Sequence, residues 1–171
     1  MEKYSISIVI PTWNRWQLVD RLLNSLVEER KNYRYGETEV LIIDSSVGEE
    51  QEKIQESCEK YDAQYLLGDD SVRKKRNKGI VTAKYELILF LDSDVTANRN
   101  LLNNHVRTYI ENKKDNLAGT FGLTEFVGED NFVWKIIQYS TFLDSFQFAR
   151  KFPYQNWTIG NNVMFSKEIL V

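Results

Sequence analysis

Four short runs of apolar residues, each closed by a polar or turn-forming residue, recur through the first half of the chain. They cover residues 6–10, 40–43, 63–67 and 87–91. Continuous apolar runs of this length, rich in β-branched residues, are typical of strands that are covered on both faces. The pattern therefore predicts four strands, of which the one at residues 63–67 is the weakest.

Between these runs, apolar residues recur at helical spacing. The strongest example runs from Leu18 to Val27, with Asn14 placed to cap its start. The spacing also predicts helices around residues 54–61, 71–85 and 101–110. Strands that alternate with helices indicate an α/β fold with a mostly parallel central sheet and helices on both faces.

The last third of the chain is less regular. We predict strands at residues 118–123 and 126–127, and a helix over the aromatic-rich stretch from Phe132 to Phe152. We place Cys58 in the core because it shares a helical apolar stripe. His105 lies on the helix at 101–110, and we predict that it sits at the surface or its boundary.

Composition narrows the class of protein. A chain of 171 residues is predicted to form a single domain, residues 1–171. Its net charge of −3 offers no basic excess for a nucleic acid. One cysteine excludes an intrachain disulfide and favours a reducing, cytoplasmic location. No apolar run is long enough to be a transmembrane helix, and nothing in the sequence indicates an oligomeric state.

Polar clusters follow each predicted strand. In open α/β sheets, ligands bind beyond the carboxyl ends of the strands, at the point where strand order reverses. The clusters at 11–15, 44–46, 73–79 and 92–94 are therefore expected at one edge of the sheet.

Asp92 and Asp94 are the strongest candidates for chemistry at that edge. Two carboxylates at i and i+2 after a strand can turn toward one cation, and Mg²⁺ takes one or two carboxylates plus substrate phosphates. Several basic residues in the 73–79 cluster would suit a diphosphate. The competing interpretation is a pair of solvated turn carboxylates that cap the next helix.

Taken together, these segments resemble the family 2 glycosyltransferases with the GT-A fold. The segments that carry the resemblance are IVIPTWNR, LIIDSSV, KKRNKGI and LILFLDSDV, in the family's order and at its usual separations. A later segment, IGNNVMFSKEIL at 159–170, is similar to the family's Gly-x-Asn segment. The resemblance covers nearly the whole chain and implies a Rossmann-like GT-A fold, truncated at its C-terminal end.

The resemblance also implies site residues. Thr12 and its neighbours would surround the base and ribose, and Asp44 would contact one of them. The chain has Ser45 where the family often has a second Asp. The cation, Mn²⁺ or Mg²⁺, would be held by Asp94 and Asp92, with Asp92 on the ribose or sugar side. The implied nucleotide-sugar-binding set is Pro11, Thr12, Asn14, Arg15, Asp44, Arg73, Arg76, Asn77, Asp92 and Ser93.

The implied reaction is inverting transfer of a sugar from a nucleotide diphosphate sugar of the UDP type to a hydroxyl on a glycan, lipid or protein. Family members take part in bacterial polysaccharide biosynthesis, in the cytoplasm or at the inner face of the membrane. Their general base lies downstream of the Gly-x-Asn segment, which would place it beyond Val171. We therefore expect the N-terminal part of a longer enzyme, able to bind nucleotide but poor at transfer by itself.

Two other functions stay open at this point. The chain could be a non-catalytic nucleotide-sugar-binding domain or an inactive relative. A haloacid-dehalogenase-type phosphatase would use Asp92 as nucleophile in the Asp92–Thr96 motif, although that motif normally follows the first strand. A dinucleotide-binding oxidoreductase is disfavoured because no Gly-x-Gly-x-x-Gly follows a strand.

Overall fold

The computed structural model describes residues 3–98, 100–113, 117–127 and 160–171, together with residues 131, 132, 135, 136, 154, 156 and 158. Within these residues, one mixed sheet is flanked by helices. The strands are β1 (Ile6–Thr12), β2 (Thr38–Asp44), β3 (Gln64–Leu67), β4 (Leu87–Leu91), β5 (Gly119–Phe121) and β6 (Asn162–Ser166). The helices are α1 (Trp16–Lys31), α2 (Glu49–Lys60), α3 (Val72–Thr82), α4 (Leu101–Glu111) and α5 (Lys167–Leu170).

The strand order is β3-β2-β1-β4-β6-β5. The first four strands in the chain run parallel, and β6 is antiparallel to both β4 and β5. From β1 the chain adds β2 and β3 on one side and β4 on the other. The strand order therefore reverses at the boundary between β1 and β4, which is where such sheets bind ligands.

Side-chain alternation along the strands divides the core into two layers. Ile8 and Ile10 of β1 point toward α1, α2 and α4, whereas Val9 points toward α3. Every residue of β1 is buried. The predicted α/β fold with helices on both faces is confirmed. Cys58 lies in the first layer as predicted, and burial raises the pKa of its thiol to about 12.

Helix α3 packs against β1 at a glycine. A Cβ added to Gly79 would lie 2.3 Å from Cγ1 and 3.0 Å from Cγ2 of Val9. Distances below 3.0 Å are repulsive, so any side chain at this position would push α3 away from the sheet. Gly79 thereby sets how closely α3 approaches the carboxyl end of β1.

Gly79→Ala is expected to lower the free energy of unfolding by about 1–3 kcal/mol, because the methyl group overpacks the contact with Val9. Urea unfolding followed by circular dichroism measures the change. Val81→Ala on the same helix is the matched control, since Val81 is 80% exposed, and its effect should stay within about 0.5 kcal/mol. An unchanged unfolding midpoint for Gly79→Ala would contradict the close packing.

Three local predictions differ from the structure. Helix α1 has Arg15, not Asn14, at its N-cap position, and no side chain caps it. Asn14 instead adopts a positive φ of 49°, and its N–H donates to Ser46 Oγ at 2.7 Å. Residues 126–127 form no strand, and the 118–123 strand shortens to β5. The helix predicted from Phe132 to Phe152 lies mostly outside the described residues.

The surface position predicted for His105 is wrong. Its ring is 4% exposed and bridges α4 to the two antiparallel strands. Nε2 lies 2.8 Å from Asn162 Oδ1, and Nδ1 lies 2.7 Å from Thr120 Oγ1. Because the amide oxygen only accepts, Nε2 carries the proton and Nδ1 accepts from the hydroxyl. Burial lowers the pKa of His105 to about 4, so the neutral ring is the folded form.

Candidate functional site

The Asp-Ser-Asp segment directly follows β4, beside the loop that follows β1. Arg15 of that loop donates from Nη1 to Asp94 Oδ2 at 3.1 Å, and both side chains are about half exposed. Arg21 of α1 donates to the backbone oxygen of Asp94 at 3.0 Å. Ser93, between the two carboxylates, is buried. The loops that follow β1 and β4 are thus linked by charged side chains at the switch point.

Asp92 is held from the other face of the sheet. Arg76 of α3 donates from Nη2 to Asp92 Oδ1 at 2.9 Å and to the backbone oxygen of Gly160 at 3.0 Å. A Cβ on Gly160 would lie 2.9 Å from Arg76 Nη1, so a side chain at this position would displace the guanidinium. Burial raises the pKa of Asp92, the Arg76 charge opposes that rise, and the Asp94 charge adds to it.

The two carboxylates suit a cation that is shared with a ligand. In the described part of the chain, no cluster of three or more His, Cys, Asp or Glu side chains is placed to hold a metal ion. Each arginine engages one oxygen, which leaves Asp92 Oδ2 and Asp94 Oδ1 without a hydrogen bond to any described residue. Two carboxylates completed by phosphate oxygens and water are a usual environment for Mg²⁺ and chemically similar ions.

The ends of β1 and β2 are linked by a buried carboxylate. Thr12 and Asp44 are partners in the β1–β2 register. Asp44 is fully buried and accepts from the Ser46 N–H, the Ser46 hydroxyl and the Tyr65 hydroxyl at 3.0, 2.6 and 3.1 Å. Ser46 Oγ in turn accepts from the N–H of Asn14. Asp44 therefore organises this loop pair, and Ser46 is a site residue that the sequence analysis did not identify.

Helix α3 contributes two of its basic residues to the site. Besides Arg76, Lys75 is buried to 2% exposure and donates from Nζ to the backbone oxygen of Thr12 at 2.6 Å. Lys75 lies in the basic 73–79 cluster but is absent from the implied binding set, although its i, i+4 spacing to Gly79 puts both residues on the sheet-facing side of α3. Arg73 and Asn77 occupy exposed positions of α3 and have no hydrogen bond to another predicted site residue within the described chain.

Three buried polar atoms at this edge have no hydrogen-bond partner among the described residues: Thr12 Oγ1, Ser45 Oγ and Arg76 Nε. Unpartnered buried polar atoms are uncommon in folded proteins, and they often mark a place where a ligand or water completes the site. All three lie at strand ends or on α3, next to the carboxylates described above.

Two comparisons of the sequence with known proteins identify relatives. The sequence profile described as glycosyl transferase family 2 matches residues 7–170. Chondroitin synthase of Pasteurella multocida (strain Pm70) is 30% identical over 118 residues, which are 67% of this chain and 12% of that protein.

Solved structures show the same fold. S. aureus TarS 1-349 in complex with UDP is 25% identical, with a TM-score of 0.53 over 64% of this chain and 33% of the 1-349 chain. The mannosyltransferase PcManGT from Pyrobaculum calidifontis, in complex with GDP-Man and Mn²⁺, is 18% identical. Its TM-score is 0.62 over 98% of this chain and 46% of PcManGT. The present chain thus spans less than half of each of these relatives.

The fold is that of the GT-A glycosyltransferases, as the resemblance implied. Asp92 follows the fourth strand of the chain, whereas the phosphatase alternative requires a position after the first. The profile match covers nearly all of the chain, from the first strand to the last helix. The chain therefore belongs to the family 2 glycosyltransferases.

Proposed function

We propose that the chain binds a nucleotide diphosphate sugar across the carboxyl ends of β1, β2 and β4, and that the sugar passes with inversion to an acceptor hydroxyl. The observation that carries this proposal is the presence of two arginine–carboxylate pairs, Arg15–Asp94 and Arg76–Asp92, directly after β4 at the switch point. The acceptor belongs to one of three classes, a glycan, a lipid or a protein.

In this proposal the two arginines serve the diphosphate. Each already lies at a carboxylate at the strand ends, from which a side-chain rotation would let its guanidinium contact a phosphate oxygen of the donor. Arginine forms bidentate, charge-assisted hydrogen bonds with phosphate. Arg76 Nε, which has no partner among the described residues, is available for such a contact. The carboxylates of Asp92 and Asp94, once released by the arginines, would then be free to bind the cation.

Asp94 and Asp92 would hold Mn²⁺ or Mg²⁺. When bound, the ion supplies Lewis-acid stabilisation of the negative charge that develops on the nucleoside diphosphate leaving group. Asp94 is the more exposed of the two side chains, at 53% against 39%, so it is the easier one for an ion to reach. The Mn²⁺ in the PcManGT complex supports a divalent ion for this fold.

The base and ribose would lie over the ends of β1 and β2. Trp13, directly after Thr12, is 61% exposed and offers a ring face on which a base can stack. Asp44 would act on the base or ribose through the Ser46 hydroxyl, which donates to its Oδ1. A UDP-type donor is our proposal, supported by the UDP complex of TarS.

No helix in the described part of the chain combines the length and the apolar character needed to cross a bilayer. We place the reaction in the cytoplasm, where nucleotide sugars are available and the buried Cys58 stays reduced.

Isothermal titration with UDP, with and without Mn²⁺, tests the proposed function. We expect binding that depends on Mn²⁺. In thermal unfolding, UDP at about 100 times its dissociation constant should raise the free energy of unfolding by about 2.7 kcal/mol, which is equivalent to a rise in Tm of roughly 5–10 °C. A chain that binds neither UDP nor GDP with Mn²⁺ present would refute the proposal.

A further inference from the structure

Lys75 is a buried ammonium at the place where we expect the nucleotide base. Its alkyl chain runs past Gly68, where an added Cβ would lie 3.0 Å from Lys75 Cγ and 2.8 Å from Ile43 Cγ2. This passage brings Nζ from α3 to the end of β1, where it donates to the backbone oxygen of Thr12. Only 2% of the residue is exposed.

The ammonium has fewer partners than it has hydrogens. It carries three N–H donors, and the structure gives it one acceptor among the described residues, Thr12 O at 2.6 Å. The nearest buried carboxylate, that of Asp44, already accepts from Ser46 and Tyr65 and forms no ion pair with Lys75. Burial lowers the pKa of Lys75, and the charges of Asp44, Asp70 and Asp69 oppose that shift. Two N–H donors of the Lys75 ammonium therefore have no acceptor among the described residues.

Two hydroxyl groups around the same strand ends are also unpartnered. Thr12 Oγ1 and Ser45 Oγ are buried without a hydrogen bond to any described residue. Ser45 directly follows β2, next to Asp44, which is paired with Thr12 in the β1–β2 register. Buried polar groups without partners at the ends of β1 and β2, together with the free donors of Lys75, fit a site that a ligand completes better than a closed core.

An ammonium can only donate, so it selects ligand atoms that only accept. Uracil presents an exocyclic carbonyl at position 4 and guanine presents one at position 6. Cytosine and adenine present amino groups at the corresponding positions, whose hydrogens would meet the hydrogens of the ammonium. The buried charge therefore distinguishes keto bases from amino bases.

We propose that Lys75 is a specificity-determining residue whose ammonium donates to the exocyclic carbonyl oxygen of a keto base in the donor nucleotide. This inference rests on the proposed function, because it assumes that the base lies at the ends of β1 and β2. Uracil and guanine share the chemistry that is recognised, and the experiment separates them.

The test compares dissociation constants for UDP, CDP, GDP and ADP, each with Mn²⁺, by isothermal titration. UDP and CDP form the sharpest pair because their bases differ at position 4 and at the protonation of the neighbouring ring nitrogen. We expect the wild-type chain to bind at least one keto nucleotide about tenfold or more tightly than its amino counterpart. A preference for UDP over GDP, or the reverse, identifies the base.

Lys75→Met keeps an unbranched side chain, one atom shorter, and removes the charge. We expect the keto-to-amino affinity ratio to fall to within about threefold, while the dependence on Mn²⁺ persists. Lys74→Met is the matched control, since Lys74 is exposed and paired with Asp69, and it should keep the wild-type ratio. Lys75→Gln, which retains a donor, provides a second variant in case Lys75→Met does not fold.

Two results would overturn the assignment. The first is a wild-type chain whose dissociation constants are equal for UDP and CDP and also equal for GDP and ADP. This result can be obtained without any variant. The other is a loss of affinity in the Lys75 variants that is the same for all four nucleotides, as expected if Lys75 only supports the Thr12 backbone. Failure of all four to bind the wild-type chain would instead overturn the proposed function, and this assignment with it.

Discussion

Replacing Asp94 with asparagine is expected to abolish the Mn²⁺-dependent part of nucleotide binding. Loss of a residue that merely supports a metal ligand costs about 10–100-fold in affinity, so loss of a ligand itself should cost at least about 100-fold. The fold should be unaffected, because the Arg15–Asp94 pair is half exposed and such pairs contribute about 1 kcal/mol or less. Titration of UDP into the variant, with and without Mn²⁺, measures the loss.

Asp62→Asn is the matched control for Asp94→Asn. Asp62 also pairs with an arginine, Arg30, at 3.0 Å, and its side chain is 95% exposed. It follows α2 and precedes β3, at the opposite edge of the sheet, so the same change of charge there should leave Mn²⁺-dependent binding intact. Equal affinities of Asp94→Asn and the wild-type chain at saturating Mn²⁺ would remove Asp94 from the proposed metal site.

His105→Ala is expected to destabilise the fold strongly, by about 3–5 kcal/mol of unfolding free energy. It leaves a cavity under α4 and strips hydrogen-bond partners from Thr120 and Asn162, which are buried on two different strands. Urea unfolding measures the loss, with Arg107→Ala on the exposed side of α4 as the control. A loss below about 1 kcal/mol would show that the bridge contributes little.

The same histidine makes stability depend on pH. Its pKa is about 4 in the folded chain against an ordinary value of 6.5, so the unfolded chain binds more protons between these two values. The stabilisation is complete above pH 6.5 and is lost as the pH falls toward 4, by about 2 kcal/mol between pH 7 and pH 5. His105 is the chain's single histidine, so His105→Gln should flatten this slope, and an unchanged slope would assign it to other groups.

The elements that the sequence predicts best are those whose hydrophobic pattern is complete within the segment itself. β4 is a continuous apolar run and β1 is interrupted only by Ser7 over residues 6–10, so both strands can be predicted without knowledge of their neighbours. The shared edge of the polar clusters follows from topology alone, because parallel strands end on the same side. Arg15 and Arg76 were thus predicted near Asp94 and Asp92, and the structure brings them together.

The features that the sequence did not predict depend on partners far along the chain. His105 can be buried because Asn162, 57 residues later, accepts a hydrogen bond from its ring. Asn14 does not cap α1 because the Ser46 hydroxyl takes its N–H, 32 residues away. Lys75 belongs to a basic run whose charges are expected to face a diphosphate, but the packing of Gly79 on Val9 turns the Lys75 side of α3 toward the sheet, where the side chain is buried.

The central position of β6 has a consequence for how the protein is made. β6 pairs with β4, which precedes it by about 70 residues in the chain. At ribosomal speeds of about 5–20 residues per second, the apolar edge of β4 waits several seconds for its partner. An unpaired edge of this kind is a template for aggregation, so we expect nascent chains that stop before Asn162 to need a chaperone to stay dispersed.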